Sequence, residues 1–244
     1  MVNKMTENDS KKYKYDLGIL GGMGSEATVE IYKRIISKTY HTCDQDHMKI
    51  CILNNSIIPD RTDCILNGGD SPLPYLNESI KDLESLSCKY FVVACNTAHY
   101  FADEFKFNNI KFISMVESTL EYINQSCKQH KVCILSTTGT VKTKVYHNHN
   151  LAKNINFVFP NEIEQDIIMS VINETKKGIS KEILTKKIEK VVLDILSRYN
   201  DVVFVLACTE LSLYFENICK LSNTIDAMEC LIKNIFLKCG YKMK

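Results

Sequence analysis

Short apolar runs alternate with helical patterns along the chain, and this order of elements begins a second time near Lys131. Apolar runs that lack a polar side are typical of strands covered on both faces, as in parallel sheets. The predicted strands lie at 15–20, 49–53, 90–94, 111–114, 131–135, 156–159 and 201–207. The predicted helices lie at 27–39, 72–86, 117–127, 162–176, 181–198 and 226–237. The alternation predicts an α/β protein of two similar lobes with parallel sheets.

The position of the restart sets the predicted domain bounds. Residues 1–14 are polar and carry several lysines, which predicts a disordered tail. The N-terminal lobe is predicted to comprise 15–114 together with 223–244, and the C-terminal lobe 115–222. Each lobe then has an early strand that ends in a small, glycine-bearing turn and a later buried strand that ends in Ala-Cys.

Composition excludes several classes of protein. Hydrophobic residues make up 45% of the chain and charged residues 24%, which is ordinary for a folded globular protein. The net charge of +1 predicts neither a nucleic-acid partner nor an anionic membrane surface. We find neither an apolar run of about 20 residues nor the apolar segment of a secretory signal, so we expect a cytoplasmic protein. The eleven cysteines are then expected to be reduced thiols.

Two of these cysteines occupy matching places in the two halves. Cys95 and Cys208 each follow an apolar strand, and ligands of open α/β sheets bind beyond the carboxyl ends of strands. A helix start after each cysteine would lower the pKa of its thiol through backbone N–H groups and the helix dipole. Two opposed thiols suit inversion at a tetrahedral carbon, because one can remove a proton while the other delivers one to the opposite face.

Several sequence blocks carry a family resemblance. They include Gly-Ile-Leu-Gly-Gly-Met-Gly at 18–24, Ile-Pro-Asp-Arg-Thr at 58–62, Cys-Asn-Thr-Ala-His at 95–99, Ser-Thr-Thr-Gly-Thr at 136–140 and Cys-Thr-Glu at 208–210. Shorter matches lie at 27–28, 44–47, 54–55, 164–165 and 176–178. With these blocks in order, the chain resembles the cofactor-independent aspartate/glutamate racemase family, in particular its microbial aspartate racemases.

The resemblance implies a fold and a reaction. It implies two flavodoxin-like lobes with the active site in the cleft between them, usually in a homodimer, with neither pyridoxal phosphate nor a metal. It implies that Cys95 and Cys208 are the catalytic thiols of a racemase that interconverts L- and D-aspartate. A glutamate racemase or a racemase of broad specificity remains an alternative, because a pocket one methylene longer needs only small shifts.

The resemblance also implies how a small dicarboxylic amino acid would be bound. The implied substrate-binding residues are Met23, Arg61, Asn96, Thr97, Ala98, Lys176 and Thr209. By similarity, Asn96, Thr97, Thr209 and the backbone around Ala98 hold the α-carboxylate, while Met23 lines the pocket. Arg61 and Lys176 are expected to hold the distal carboxylate as a guanidinium fork and an ammonium group.

Some of these residues also have a simpler interpretation. Arg61 could form a surface ion pair with a neighbouring aspartate, and Lys176 could be an exposed helix residue that exchanges roles with Lys177. His99 could shuttle protons, although a hydrogen-bonded histidine at a helix start is the simpler role. Glu210 could tune the Cys208 thiol or cap the following helix.

Three further functions compete with the racemase. Gly22, Gly24 and Ala27 match a dinucleotide fingerprint, which would indicate a nicotinamide-dependent oxidoreductase, but the second strand lacks the acidic residue that would bind ribose. A zinc site is a weaker hypothesis, because its potential ligands His41, Cys43, His47 and Cys51 are not expected to converge. A non-catalytic amino-acid-binding protein would not need two opposed thiols.

Overall fold

A computed structural model describes residues 12–127 and 130–244 of the chain. Most of the predicted disordered tail, residues 1–11, lies outside the described residues. The chain divides into two compact units, Met1–Met115 with Leu231–Lys244, and Val116–Cys230. Each unit contains one four-stranded sheet, and every pairing within the two sheets is parallel.

The first sheet has the strand order β2-β1-β3-β4. Its unit contains, in chain order, β1 (Tyr15–Gly21), α1 (Ser25–Lys38), β2 (Ile50–Asn54), α2 (Arg61–Asn67), α3 (Leu73–Ser85), β3 (Cys88–Val93) and β4 (Lys111–Phe112). The register aligns Gly18 of β1 with Cys51 on one side and with Phe91 on the other. A 3-10 helix, Thr97–Glu104, follows β3, and the C-terminal residues Leu231–Lys244 also belong to this unit.

The second sheet repeats this arrangement with the order β6-β5-β7-β8. The elements from this point of the chain onward are α4 (Met115–Ser126), β5 (Lys131–Leu135), α5 (Thr138–Thr143), β6 (Asn156–Val158), α6 (Glu162–Lys176), α7 (Lys181–Arg198), β7 (Val202–Leu206), α8 (Phe215–Ile218), β8 (Thr224–Asp226) and α9 (Ala227–Cys239). Helix α9 begins in the second unit and continues into the first from Leu231 onward. The order second-first-third-fourth is that of flavodoxin-like sheets. The prediction of two similar α/β lobes with parallel sheets is therefore confirmed.

Burial explains why these segments form strands and helices. All five residues of β7 are buried, since both faces of this central strand are covered. Helix α6 buries Ile168, Val171 and Ile172, whose spacing of three to four residues forms one apolar stripe. These residues join the core of the second unit, which also contains Leu206 and Cys208.

The structure differs from the prediction near the C-terminal end. The predicted bounds place residues 223–230 in the first lobe, whereas the structure assigns them to the second unit. Strand β8 pairs with β7 through Ile225↔Val205, so it belongs to the second sheet. Its sequence, Thr-Ile-Asp, has one apolar residue between two polar ones and therefore carries no strand signal of its own.

The residues after α9 are bonded to the first unit. The Tyr241 hydroxyl donates to the Asp16 carboxylate at 2.8 Å, and Thr39 forms a β-bridge with Met243.

Across the described parts of the chain, helices that combine the length and the apolar character needed to span a bilayer are not found.

Candidate active site

A glycine turn ends β1 and presents Met23. Gly22 has a φ of +93°, and a Cβ atom there would lie 2.3 Å from the backbone C and O of Asn55. Its N–H donates to the Thr28 hydroxyl at 3.2 Å, which ties the turn to α1. Only glycine therefore allows this turn, and the neighbouring backbone, not a bound pyrophosphate, accounts for the glycine requirement at this position. Met23 follows in a buried position.

Arg61 is buried against this turn. Its Nη2 donates to the Met23 carbonyl at 2.9 Å, and its Nη1 donates to the carbonyls of Pro59 at 2.9 Å and Ile58 at 3.4 Å. Its buried Nε has no hydrogen-bond partner among the described residues. The alternative of a surface ion pair is wrong, since the side chain is 6% exposed and the Asp60 carboxylate caps α2 instead. The guanidinium is thus fixed, with Nε–H left to donate.

Cys95 lies two residues beyond the end of β3, in a buried segment. The N–H of Ala94 donates to the Leu20 carbonyl at 2.9 Å, which extends the pairing of β3 with β1 by one residue. The predicted binding residues Asn96, Thr97 and Ala98 follow at once and are also buried. The structure therefore brings the first thiol and these polar groups together at the carboxyl edge of the first sheet.

His99 supports the Cys95 backbone. Its Nδ1 lies 2.9 Å from the Cys95 carbonyl, and its Nε2 accepts from the Met115 N–H at 3.0 Å. Because the carbonyl only accepts and the amide only donates, the proton must be on Nδ1. Burial lowers the pKa of His99 to about 4, so the ring is neutral. Both nitrogens are occupied, which favours the hydrogen-bonded role over a proton shuttle.

Cys208 occupies the equivalent position in the second sheet, two residues beyond β7. Here Ala207 donates to the Leu135 carbonyl at 2.8 Å, as Ala94 donates to the Leu20 carbonyl in the first sheet. Thr209 is buried beside the thiol. The two cysteines therefore end equivalent strands of equivalent sheets.

The Glu210 carboxylate contacts the Cys208 thiol directly. Its Oε2 accepts from Cys208 Sγ at 3.0 Å and from the Thr209 hydroxyl at 3.1 Å. Burial raises the pKa of Cys208 well above its usual value, and the charge and hydrogen bond of Glu210 raise it further. The expected lowering of the Cys208 pKa is wrong, because the thiol is buried, the adjacent charge is negative and the following helix, Leu211–Tyr214, is only a short 3-10 helix. Glu210 makes no capping hydrogen bond through its side chain, which leaves the tuning role.

Lys176 is the exposed last residue of α6. Its ammonium lowers the pKa of Cys208, which opposes the effects of burial and Glu210. Lys177 instead contributes to lowering the pKa of Glu174. The Thr175 hydroxyl lies 2.7 Å from the Tyr214 hydroxyl, both buried, so the end of α6 is tied to the segment after Cys208. Of the two lysines, the structure places Lys176 in the electrostatic surroundings of the thiol.

Gln165 is a buried polar residue for which the sequence predicted no role. It lies on the same face of α6 as Ile168 and Ile172 and is 9% exposed. A polar residue at an apolar position of a helical stripe is the sequence signal that could have identified it.

The metal hypothesis has no support in the described segments. They contain no group of three or more histidine, cysteine or acidic side chains that could hold a metal ion. The rings of His41 and His47 do contact each other, with centroids 4.4 Å apart.

A sequence model described as Asp/Glu/Hydantoin racemase matches residues 20–235, which is most of the chain. The chain belongs to this racemase family. Among solved structures, this family member is similar to an aspartate racemase from Picrophilus torridus, with 32% identity and a TM-score of 0.83 over 93% of this chain and 95% of that one.

More distant structures share the racemase fold alone. A glutamate racemase from Francisella tularensis, solved with D-glutamate, is 17% identical, with a TM-score of 0.66 over 91% of this chain and 80% of that one. An allantoin racemase from Klebsiella pneumoniae is 12% identical, with a TM-score of 0.62 over 93% of this chain and 89% of that one.

The chain is also similar in sequence to an uncharacterized protein from Pectobacterium carotovorum. The two are 27% identical over 52% of this chain and 88% of that protein.

Proposed function

We propose that this racemase-family member interconverts L- and D-aspartate without pyridoxal phosphate, with Cys95 and Cys208 as the proton-transfer groups. The observation that carries the proposal is the equivalence of the two thiols. Each lies two residues beyond the third strand of its sheet and follows an alanine that donates to the first strand. The 32% identity to the Picrophilus aspartate racemase supports aspartate as the substrate.

The proposed reaction breaks and forms one C–H bond at Cα. A thiolate removes the α-proton, and the electron pair left behind delocalises into the α-carboxylate. The other thiol then donates its proton to the opposite face, so the product is the mirror image and the two sulfur atoms have exchanged protonation states. Burial and the Glu210 carboxylate raise the pKa of Cys208, which favours the proton-donating thiol form of this residue. The roles of the two thiols reverse for the opposite enantiomer.

Electrostatic binding groups would stabilise the intermediate. We assign Asn96, Thr97, Thr209 and the backbone at Ala98 to the α-carboxylate, where charge accumulates in the transition state. Met23 lines the pocket in this assignment.

We assign Arg61 and Lys176 to the distal carboxylate. The hydrogen bonds of Arg61 to three carbonyls hold its guanidinium rigidly, and its Nε–H remains to donate. A guanidinium that is already fixed loses little further freedom when a carboxylate binds. Lys176, exposed at the end of α6, supplies the second cation.

The test is incubation with L-aspartate in deuterium oxide without added pyridoxal phosphate, followed by chiral chromatography and mass spectrometry. We expect D-aspartate to accumulate with deuterium at Cα. Cys95→Ser and Cys208→Ser should each reduce turnover by at least about 100-fold, the usual scale for a lost acid–base group. Cys219→Ser changes an exposed thiol and serves as the control.

The alternatives give different outcomes. Turnover of glutamate alone would overturn the substrate assignment, and equal turnover of both would indicate broad specificity. Retained binding of aspartate with no exchange would indicate a binding protein. If either serine variant kept full activity, the two-thiol mechanism would be wrong. We also expect a cytoplasmic homodimer, whose mass can be measured by light scattering.

A further inference from the structure

The side-chain amide of Gln165 is held in one orientation. Its Nε2 donates to the Ser136 carbonyl at 3.0 Å and to the Thr138 hydroxyl at 3.3 Å. The opposite orientation would place Oε1 against the Ser136 carbonyl, where two acceptors would face each other. The backbone carbonyl therefore determines which end of the amide is free.

The Oε1 atom of Gln165 is the end that is left free. It is buried and has no hydrogen-bond partner among the described residues. A buried acceptor without a partner costs free energy, and native proteins rarely retain one without a reason. A ligand that donates a hydrogen bond would remove this cost.

Gln165 lies at the sheet edge that carries Cys208. Ser136 directly follows β5, whose last residue aligns with Leu206 of β7, and neighbouring strands are about 4.8 Å apart. Gln165 and Lys176 are about three helical turns apart, so they lie on the same face of α6, with Ile172 between them. Lys176 acts electrostatically on Cys208. One face of α6 thus carries both the free acceptor and the cation near the thiol.

We infer that Gln165 Oε1 accepts a hydrogen bond from the α-ammonium group of the amino-acid substrate. The inference rests on the proposed function, in which the two carboxylates have partners and the ammonium group has none. An ammonium donor makes a strong, charge-assisted hydrogen bond to a carbonyl oxygen. An uncharged acceptor suits this substrate, because a carboxylate at the same place would repel its two carboxylates.

The test separates the ammonium group from the rest of the ligand. Succinate has both carboxylates of aspartate and lacks the ammonium, so it serves as a competitive inhibitor that cannot contact the proposed acceptor. Gln165→Met keeps the length of the side chain and removes the oxygen. We expect KM for aspartate to rise at least tenfold while Ki for succinate changes less than twofold. Gln125→Met, at an exposed position, is the control.

A second variant covers the case in which Gln165→Met fails to fold. Gln165→Asn keeps the amide donor and acceptor but is one methylene shorter, so it withdraws the oxygen; KM for aspartate should rise while Ki for succinate stays unchanged. Equal changes for both ligands, or no change for either, in variants with wild-type melting temperatures would overturn the inference. Failure of the wild-type protein to exchange the α-proton of any acidic amino acid would instead overturn the proposed function.

Discussion

Neutralising Glu210 should increase the reactivity of the Cys208 thiol. In Glu210→Gln the amide oxygen can still accept from Cys208 Sγ and from the Thr209 hydroxyl, so the local hydrogen bonds are kept while the charge is removed. Burial, the largest cause of the raised Cys208 pKa, is unchanged by the substitution. The variant therefore isolates the electrostatic contribution of one carboxylate.

The size of the effect follows from the 3.0 Å contact between Cys208 Sγ and Glu210 Oε2. Two unit charges about 3 Å apart interact by about 5.5 kcal/mol at an effective dielectric constant of ~20. If about one quarter of this repulsion is relieved, the thiolate gains about 1.4 kcal/mol and its population rises about tenfold at a given pH. Lys176 opposes the carboxylate in the wild-type protein and remains in the variant.

Alkylation by iodoacetamide at pH 8, quantified for each cysteine peptide by mass spectrometry, measures this population. We expect the Cys208 rate to rise about tenfold in Glu210→Gln, while the fully buried Cys133 stays unreactive in both proteins. Glu216→Gln, at an exposed position, should leave the rate unchanged. An unchanged or slower Cys208 rate in Glu210→Gln would show that the carboxylate does not hold the thiol in its protonated form.

Three further predictions concern binding, the glycine turn and pH. Lys176→Ala should raise KM for aspartate at least tenfold, whereas Lys177→Ala should change it less than twofold in steady-state assays. Gly22→Ala should destabilise the protein by roughly 3 kcal/mol in urea unfolding, because its Cβ would enter backbone, whereas Gly68→Ala, with φ +71° and open space around it, should cost about 1 kcal/mol. Because the folded pKa of His99 is about 4 and its usual value 6.5, protonation favours the unfolded chain, and stability is lost as pH falls from 6.5 towards 4. Between pH 7 and 4.5, the free energy of unfolding measured in urea should fall by roughly 2 kcal/mol less in His99→Gln than in the wild-type protein. An unchanged pH dependence would contradict a buried, neutral His99.

The two strand-end thiols show how far local sequence can lead. Cys95 and Cys208 were identifiable as strand-end residues, because each directly follows an apolar run and the end of a buried strand is a local property. The pKa of Cys208 was not predictable in the same way. The charge that faces Cys208 comes from Glu210, and the sequence allowed that side chain to turn either towards the thiol or towards the next helix.

The surroundings of Arg61 and Gln165 show what local sequence cannot determine. Arg61 donates to the Met23 carbonyl, which is distant along the chain, and Gln165 donates to the Ser136 carbonyl in the same way. Such contacts depend on how helices pack against strand ends, and no local periodicity encodes them. Strand β8 was missed for a related reason, since its three residues form a strand only because β7 offers an unpaired edge.

The sequence by itself determined the alternation of strands and helices, the repetition of that order in two halves, and the two cysteines at matching strand ends. These features depend on neighbouring residues, whose apolar or polar character can be read in order. Tertiary structure alone decided that the buried Nε of Arg61 and Oε1 of Gln165 lack a hydrogen-bond partner among the described residues. It also decided that the pKa of Cys208 is raised, through burial and the Glu210 carboxylate. Contacts between distant segments determine which polar groups are buried and which of them have hydrogen-bond partners, and only the folded chain brings those segments together.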